Sequence, residues 1–295
     1  MTPVYAAYLA PARATNQLWR LGLGFALILG IYAGWMTLMG GLLWLAQGST
    51  GFERQMERLA AGADPWSLIW LLFSFLGGWL GVALTLRLLH RRRLRSLFGR
   101  APVVLRDFVL GVGLIAVISG GVTLAASPFL PPLQMTADPR LWALFLPLAL
   151  AGIAVQTGAE ELVFRGYLQG QLAARFAFAP LWLGLPSLLF GLAHYAPQAM
   201  GAQTWLIVAS TALFGLVAAD MTARTGSLGL AWGLHFANNV MAILMVSLTG
   251  HLDGLALFHL QPGVIPPEAL RMLLLGDMAL MGLVWLGARL WLRRR

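Results

Sequence analysis

The sequence predicts an all-α protein, a polytopic membrane bundle of about eight transmembrane helices. Three observations carry that prediction. Hydrophobic residues make up 59% of the 295 residues and charged residues only 11%, against roughly 25% charged in an ordinary soluble domain. Apolar windows near the ~20 residues that cross a ~30 Å hydrocarbon layer recur along the whole chain. The remaining charge is segregated between those windows, and all 20 basic residues are arginine. Such a composition excludes a soluble globule, a disordered chain and, in spite of the formal net charge of +9, a nucleic-acid binder. With no cysteine, disulfides, thiolate zinc sites and cysteine nucleophiles are excluded as well.

In chain order the windows are Leu21–Ala46, Trp66–Leu86, Phe108–Leu130, Leu141–Ala159, Leu181–Tyr195, Trp205–Ala219, Ser227–Leu248 and Met278–Ala288 with its flanks. The first is too long for the apolar core of a signal peptide and is read as a span. The fifth and sixth are shorter than the others. Gly30/Gly34 and Gly77/Gly81 have the small-xxx-small spacing that permits close helix packing. With the N-terminus inside, every arginine except Arg54, Arg58, Arg140 and Arg271 falls on the cytoplasmic side. Arginine concentrates there, so both termini are expected in the cytoplasm. The Arg91–Arg106 cluster reads as part of this topology signal and as a contact for anionic lipid head groups. No linker, repeat or low-complexity stretch divides the chain, so residues 1–295 form a single integral membrane domain. The arginine-only, Ala-, Gly- and Leu-rich usage reads as a bacterial coding bias, which places the protein in the inner (plasma) membrane.

An ionised side chain at the centre of a span costs ~2.5–3.5 kcal/mol, so polar groups there usually face the bundle interior or a cavity. Three places break the apolar pattern. Span four ends with Glu160, Glu161 and Arg165. The two acids point about 100° apart on a helix, and Glu161 precedes Arg165 by four residues, the favourable order for an ion pair. Glu160 is thereby left on another face without a local partner, as a general base requires. Span five ends at His194. Span seven carries His235 and Asn239, four residues apart on one stripe. Together these groups suit either a metal held by nitrogen and oxygen ligands or a water beside a carboxylate base with donors for an oxyanion. A proton or ion relay would use the same residue types. Asp220 and Arg224 read as a helix-end ion pair at the end of span six; Asp277, near the outer end of span eight, is not counted among the site residues.

Glu-Glu-x-x-x-Arg at 160–165, Phe-x-x-x-His at 190–194 and His-x-x-x-Asn at 235–239 resemble, in order and spacing, the CPBP family of intramembrane proteases, which includes the CAAX prenyl endopeptidases. The resemblance covers a catalytic core of about residues 141–248. It implies an eight-helix bundle with a polar intramembrane cavity reached from the cytoplasm, cleaving a membrane-embedded or membrane-associated protein or peptide. Glu160 would activate the water, His194 and His235 would complete the centre, and Asn239 would hold the oxyanion. Glu161 and Arg165 would support them. The family has been described both as metalloproteases and as metal-independent glutamate proteases. The first description favours a zinc ion held by Glu160, His194 and His235. A non-catalytic binding or bacteriocin-immunity protein of the same fold is the alternative.

For Glu160 and His194 to meet, span four cannot end at Arg165, which would leave them some 20 Å apart in height at 1.5 Å per residue. The helix is therefore expected to continue to about Arg175.

Overall fold

The computed structural model describes residues 1–126, 134–135, 137–248, 252–260 and 267–294. A short helix α1 (Pro3–Arg13), capped by the Thr2 hydroxyl, precedes α2 (Leu18–Ala61). Within α2, Gly48 takes φ 69°, and this residue breaks the helix beyond its apolar part. Asp64 caps α3 (Pro65–Ser74) by accepting from the N–H groups of Trp66 and Ser67, both at 3.1 Å, and α3 leads through Phe75 into α4 (Leu76–His90). After a 3₁₀ turn at Leu94–Leu97 come α5 (Ala101–Ala126) and α6 (Pro139–Glu161). The chain continues from α6 without interruption through a π-helical stretch, Leu162–Gln169, into α7 (Gly170–Arg175). Then follow α8 (Ala179–Leu192), a one-turn α9 (Pro197–Met200), α10 (Thr204–Thr225), α11 (Gly229–Val240) with a π turn at Met241–Met245, and α12 (Pro267–Arg293).

Each apolar window recurs mainly as helix; residues 127–130 of the third lie outside the described part, and the fifth and seventh leave the helix before their ends. Six helical segments among the described residues are long and apolar enough to cross a membrane: Leu18–Ala61, Pro65–His90, Ala101–Ala125, Pro139–Arg175, Gly201–Thr225 and Glu268–Arg293. The eight windows thus correspond, among the described residues, to six long helices and two short ones. The short pair is the fifth and the seventh, not the fifth and the sixth. The sixth does not stop at Ala219 but runs through its Asp220–Arg224 pair to a left-handed Gly226 cap. The seventh loses its last turns because Val246–Leu248 leave the helix to form a strand. That strand, β2, pairs in parallel with β3 (Phe258–Leu260), whose other edge takes β1 (Gln134–Met135) antiparallel. This small sheet is the only departure from an all-α fold among the described residues.

The expected extension of the fourth helix is observed. Pro139–Arg175 is one helix of 37 residues, ended by Phe176 in an extended conformation. Between lipid-bathed helices there is little hydrophobic driving force, so close approach and van der Waals contact hold the bundle. The α5–α11 seam shows how close. A Cβ at Gly229 or Gly233 would overlap the carbonyl oxygens of Val104 and Phe108, and one at Gly111 would lie 2.7 Å from the Leu234 nitrogen. A Cβ added at Gly81 of α4 would lie 3.0 Å from the Ile28 carbonyl oxygen of α2, and Gly77 faces Trp35. Gly30 and Gly34, which share that spacing, meet nothing within 4 Å. Their expected packing role is corrected: they point away from the bundle.

Gly233→Ala should therefore destabilise the purified protein by about 1–3 kcal/mol or more through overpacking. Gly30→Ala should be neutral, or stabilising by up to ~1 kcal/mol through helix propensity. Thermal unfolding in detergent reads both.

Candidate active site

Helices α6–α7 and α8 form an antiparallel hairpin about the turn at residues 176–178. Phe164 and Phe190 lie equally far in sequence from Ala177, and their rings pack edge-on with centroids 5.1 Å apart. That contact fixes the register. Glu160 and His194 are also equidistant from Ala177, so the two residues stand at one height. The shortness of α8 matters here: its 14 residues rise only about 21 Å. The chain therefore turns at His194 within the thickness of the layer instead of passing through it.

Glu161 is the hub. Its Oε1 accepts from Arg165 Nη1 at 3.0 Å and from His235 Nδ1 at 2.8 Å. The side chains of Glu161 and Arg165 are each 1% exposed. A carboxylate oxygen only accepts, so Nδ1 of His235 carries a proton and Nε2 is the nitrogen left for other work. That Nε2 lies 3.4 Å from Oε2 of Glu160. One imidazole thus joins two adjacent glutamates, with Glu161 orienting it and Glu160 on its far side. Glu160 keeps 15% of its side chain exposed, so water can reach it.

Aromatic faces complete the enclosure. The Arg165 guanidinium sits 4.5 Å from the Phe190 ring centroid and 5.7 Å from that of Phe214, positions in which the ring quadrupole attracts a cation. His235 packs against the same two rings, at 5.7 and 4.9 Å. His194 also lies against Phe190, 4.8 Å away, and its Nδ1 donates to the Phe190 carbonyl at 2.9 Å. Because a carbonyl cannot donate, Nδ1 of His194 also holds a proton and its Nε2 is unspent. Asn239, one turn beyond His235, donates through Nδ2 to Gln156 Oε1 at 2.8 Å. The second N–H of that amide is available to another acceptor.

The structure thus brings Glu160, Glu161, Arg165 and His235 into direct contact, joins His194 to them through Phe190, and sets Asn239 a turn away. It does not gather the zinc set expected from the sequence. No group of three His, Cys, Asp or Glu side chains placed to hold a metal ion occurs among the described residues. Both histidines commit Nδ1, to Glu161 and to the Phe190 carbonyl, and keep Nε2. Asp277 accepts from Ser210 on an exposed face. Sequence reasoning missed Gln156, Phe190 as a shared platform, and Phe214. Gln156 was accessible, since it lies four residues before Glu160 on the same stripe. The π-helical stretch that begins directly after Glu161 is a form often found at functional sites.

Residues 138–241 match the family model of the type II CAAX prenyl endopeptidase Rce1-like proteins. This segment, about a third of the chain, is similar to that family. It contains all six of the candidate residues, and the match supports a membrane protease of the CAAX type. The chain is also similar to the uncharacterized protein YyaK of Bacillus subtilis (strain 168), 27% identical over 258 residues that cover 82% of each chain. No solved structure matches it.

Removing one partner of the buried pair in the Rce1-like segment leaves an uncompensated charge. Arg165→Met should cost about 3–5 kcal/mol, and adding Glu161→Gln should recover part of that loss. Unfolding of the single and double variants in detergent checks both statements.

Proposed function

We propose that the protein is an intramembrane endopeptidase that hydrolyses a peptide bond of a membrane-associated protein or peptide near the cytoplasmic leaflet. The observation that carries the reading is the placement of His235 between Glu160 and Glu161. It repeats the logic of a triad: a buried acid sets the tautomer of an imidazole, whose other nitrogen meets the reacting group. Here that group is a carboxylate, which suits activation of water instead of covalent attack.

Glu160 takes a proton from the water as the water oxygen bonds to the scissile carbonyl carbon. The proton is shared with Nε2 of His235 and passes to the leaving nitrogen as the C–N bond breaks, so the centre ends as it began. Acid–base work of this kind contributes about 10²–10⁴ in rate. The spare N–H of Asn239, with His194, stabilises the oxyanion, a role worth on the order of 10²–10³ per donor. Glu161 and Arg165 position His235 and do not touch the substrate. No step passes through a metal, because the donors offer no three-ligand set. The positive-inside rule supports both the orientation and the bacterial inner membrane as location. His235, six residues into α11, then stands about 9 Å above the start of that helix at 1.5 Å per residue.

The test compares peptide termini in membranes from cells expressing wild type or Glu160→Ala at matched levels. New termini confined to wild type are expected. Identical termini across well-covered membrane and secreted proteins would favour the non-catalytic binding or immunity reading. Cleavage by the purified enzyme should survive strong chelators. Loss on chelation with recovery on adding zinc would overturn the carboxylate mechanism.

A further inference from the structure

Between Asp64 and Asp107 the chain has no acidic residue, yet it carries Arg87, Arg91, Arg92, Arg93, Arg95, Arg100 and Arg106. Arg91 ends α4 with φ 53°, a left-handed conformation at a C-cap position that usually holds glycine. The tight turn it makes is closed by the Arg92 N–H on the Leu86 carbonyl at 2.9 Å. Beyond that turn, Arg92, Arg93 and Arg95 line an open cavity of about 540 Å³ together with Ser96, Gly99 and Ala101. Arg92 Nε donates to Ser96 Oγ at 3.2 Å, which fixes its guanidinium at the wall. No carboxylate pairs with any of the three arginines among the described residues.

A second arginine-lined cavity makes a useful contrast. It is bounded by Arg106, Arg224, Arg289 and Arg293. There, Asp107 pairs with Arg106 at 2.7 Å, and Asp220 lies 2.9 Å from Arg224 and 3.9 Å from Arg289. Its charge is largely answered from within. That of the first cavity is not.

We propose that the cavity at Arg92, Arg93 and Arg95 binds the phosphodiester head group of an anionic membrane lipid. Three unanswered guanidinium groups and a hydroxyl suit phosphate oxygens. Attached acyl chains are what distinguish a lipid from free phosphate, and the flanks of the cavity fit them. Leu88 on the last turn of α4 and Leu105 in the first turns of α5 are 67% and 68% exposed. The cavity also lies where the transmembrane helices α4 and α5 end and begin, at head-group depth.

The site connects to the catalytic segment. Leu97, in the turn that forms the cavity wall, packs at Gly166 in the π-helical stretch, where an added Cβ would lie 3.1 Å from it. The neighbouring Phe98 carbonyl accepts from Leu228 N at 3.1 Å, just before α11. A bound head group would brace the turn that spaces Arg165 from the helix carrying His235. Binding itself does not rest on the protease reading, so its test uses binding.

The full-length protein in neutral detergent is titrated with phosphatidylglycerol, phosphatidylcholine or inorganic phosphate, and bound ligand is counted by native mass spectrometry. Selective retention of phosphatidylglycerol is expected. An arginine near an anionic surface contributes about fivefold, so R92Q/R93Q/R95Q should weaken retention on the order of 100-fold. The exposed pair R93Q/R95Q, which leaves the part-buried Arg92 in place, should weaken it roughly 20-fold by the same factor. R13Q/R54Q/R140Q removes equal charge at exposed positions outside the Arg91–Arg106 cluster and should leave retention unchanged. Equal loss in that control, phosphatidylcholine retained as well as phosphatidylglycerol, or inorganic phosphate bound as tightly as the lipid would each overturn the proposal.

Discussion

Taking a guanidinium and a carboxylate out of water costs several kcal/mol per ion, and inside an apolar bundle that penalty is met only if each group finds its partners. Glu161 and Arg165 meet it together, with His235 as second donor to the acid and the faces of Phe190 and Phe214 beneath the cation. These residues come from α6, the π-helical stretch, α8, α10 and α11, so satisfying one buried ion pair draws these helices to a common point. Glu160 is the immediate neighbour of the hub and faces elsewhere. It therefore meets the unspent nitrogen of His235, at 3.4 Å, while keeping access to water. Stability and chemistry share the imidazole.

The two short helices follow from the same requirement. Non-helical backbone at membrane depth is tolerated only where protein surrounds it or a polar cavity is lined by it. The end of α8 delivers His194 in this way, with the ring proton on the Phe190 carbonyl four residues back. α11, which runs in the same direction as α8, unwinds beyond the site into a π turn. There the Leu257 N–H reaches the Leu244 carbonyl at 3.0 Å, and β2 and β3 pair, so the backbone groups that leave the helix find partners again.

Much of this was legible in the sequence where simple geometry acts. The spacing of Glu161 and Arg165 foretold their ion pair, and the need for Glu160 and His194 to share a height foretold the helix running on to Arg175. Elsewhere periodicity carried too little information. A strand of three residues, Val246–Leu248, with one serine between two apolar side chains, reads in hydropathy like another helical turn. Asp220 looked like the edge of span six because hydropathy does not register that Arg224 and the Trp285 indole N–H satisfy it. The spacing of Gly30/Gly34 is the same as that of Gly229/Gly233, and spacing alone does not say which face meets a neighbour. Residue types at the right intervals do not reveal that His235 would turn both nitrogens toward glutamates.

The central claim is that Glu161 holds His235 in one tautomer so that Nε2 serves Glu160. The most direct measurement is ¹⁵N NMR of histidine-labelled protein in detergent, with the His235 signals assigned from a His235→Gln sample. The account predicts a proton on Nδ1 of His235. A bare Nδ1, with the proton only on Nε2, would set a lone pair against the Glu161 carboxylate and contradict it.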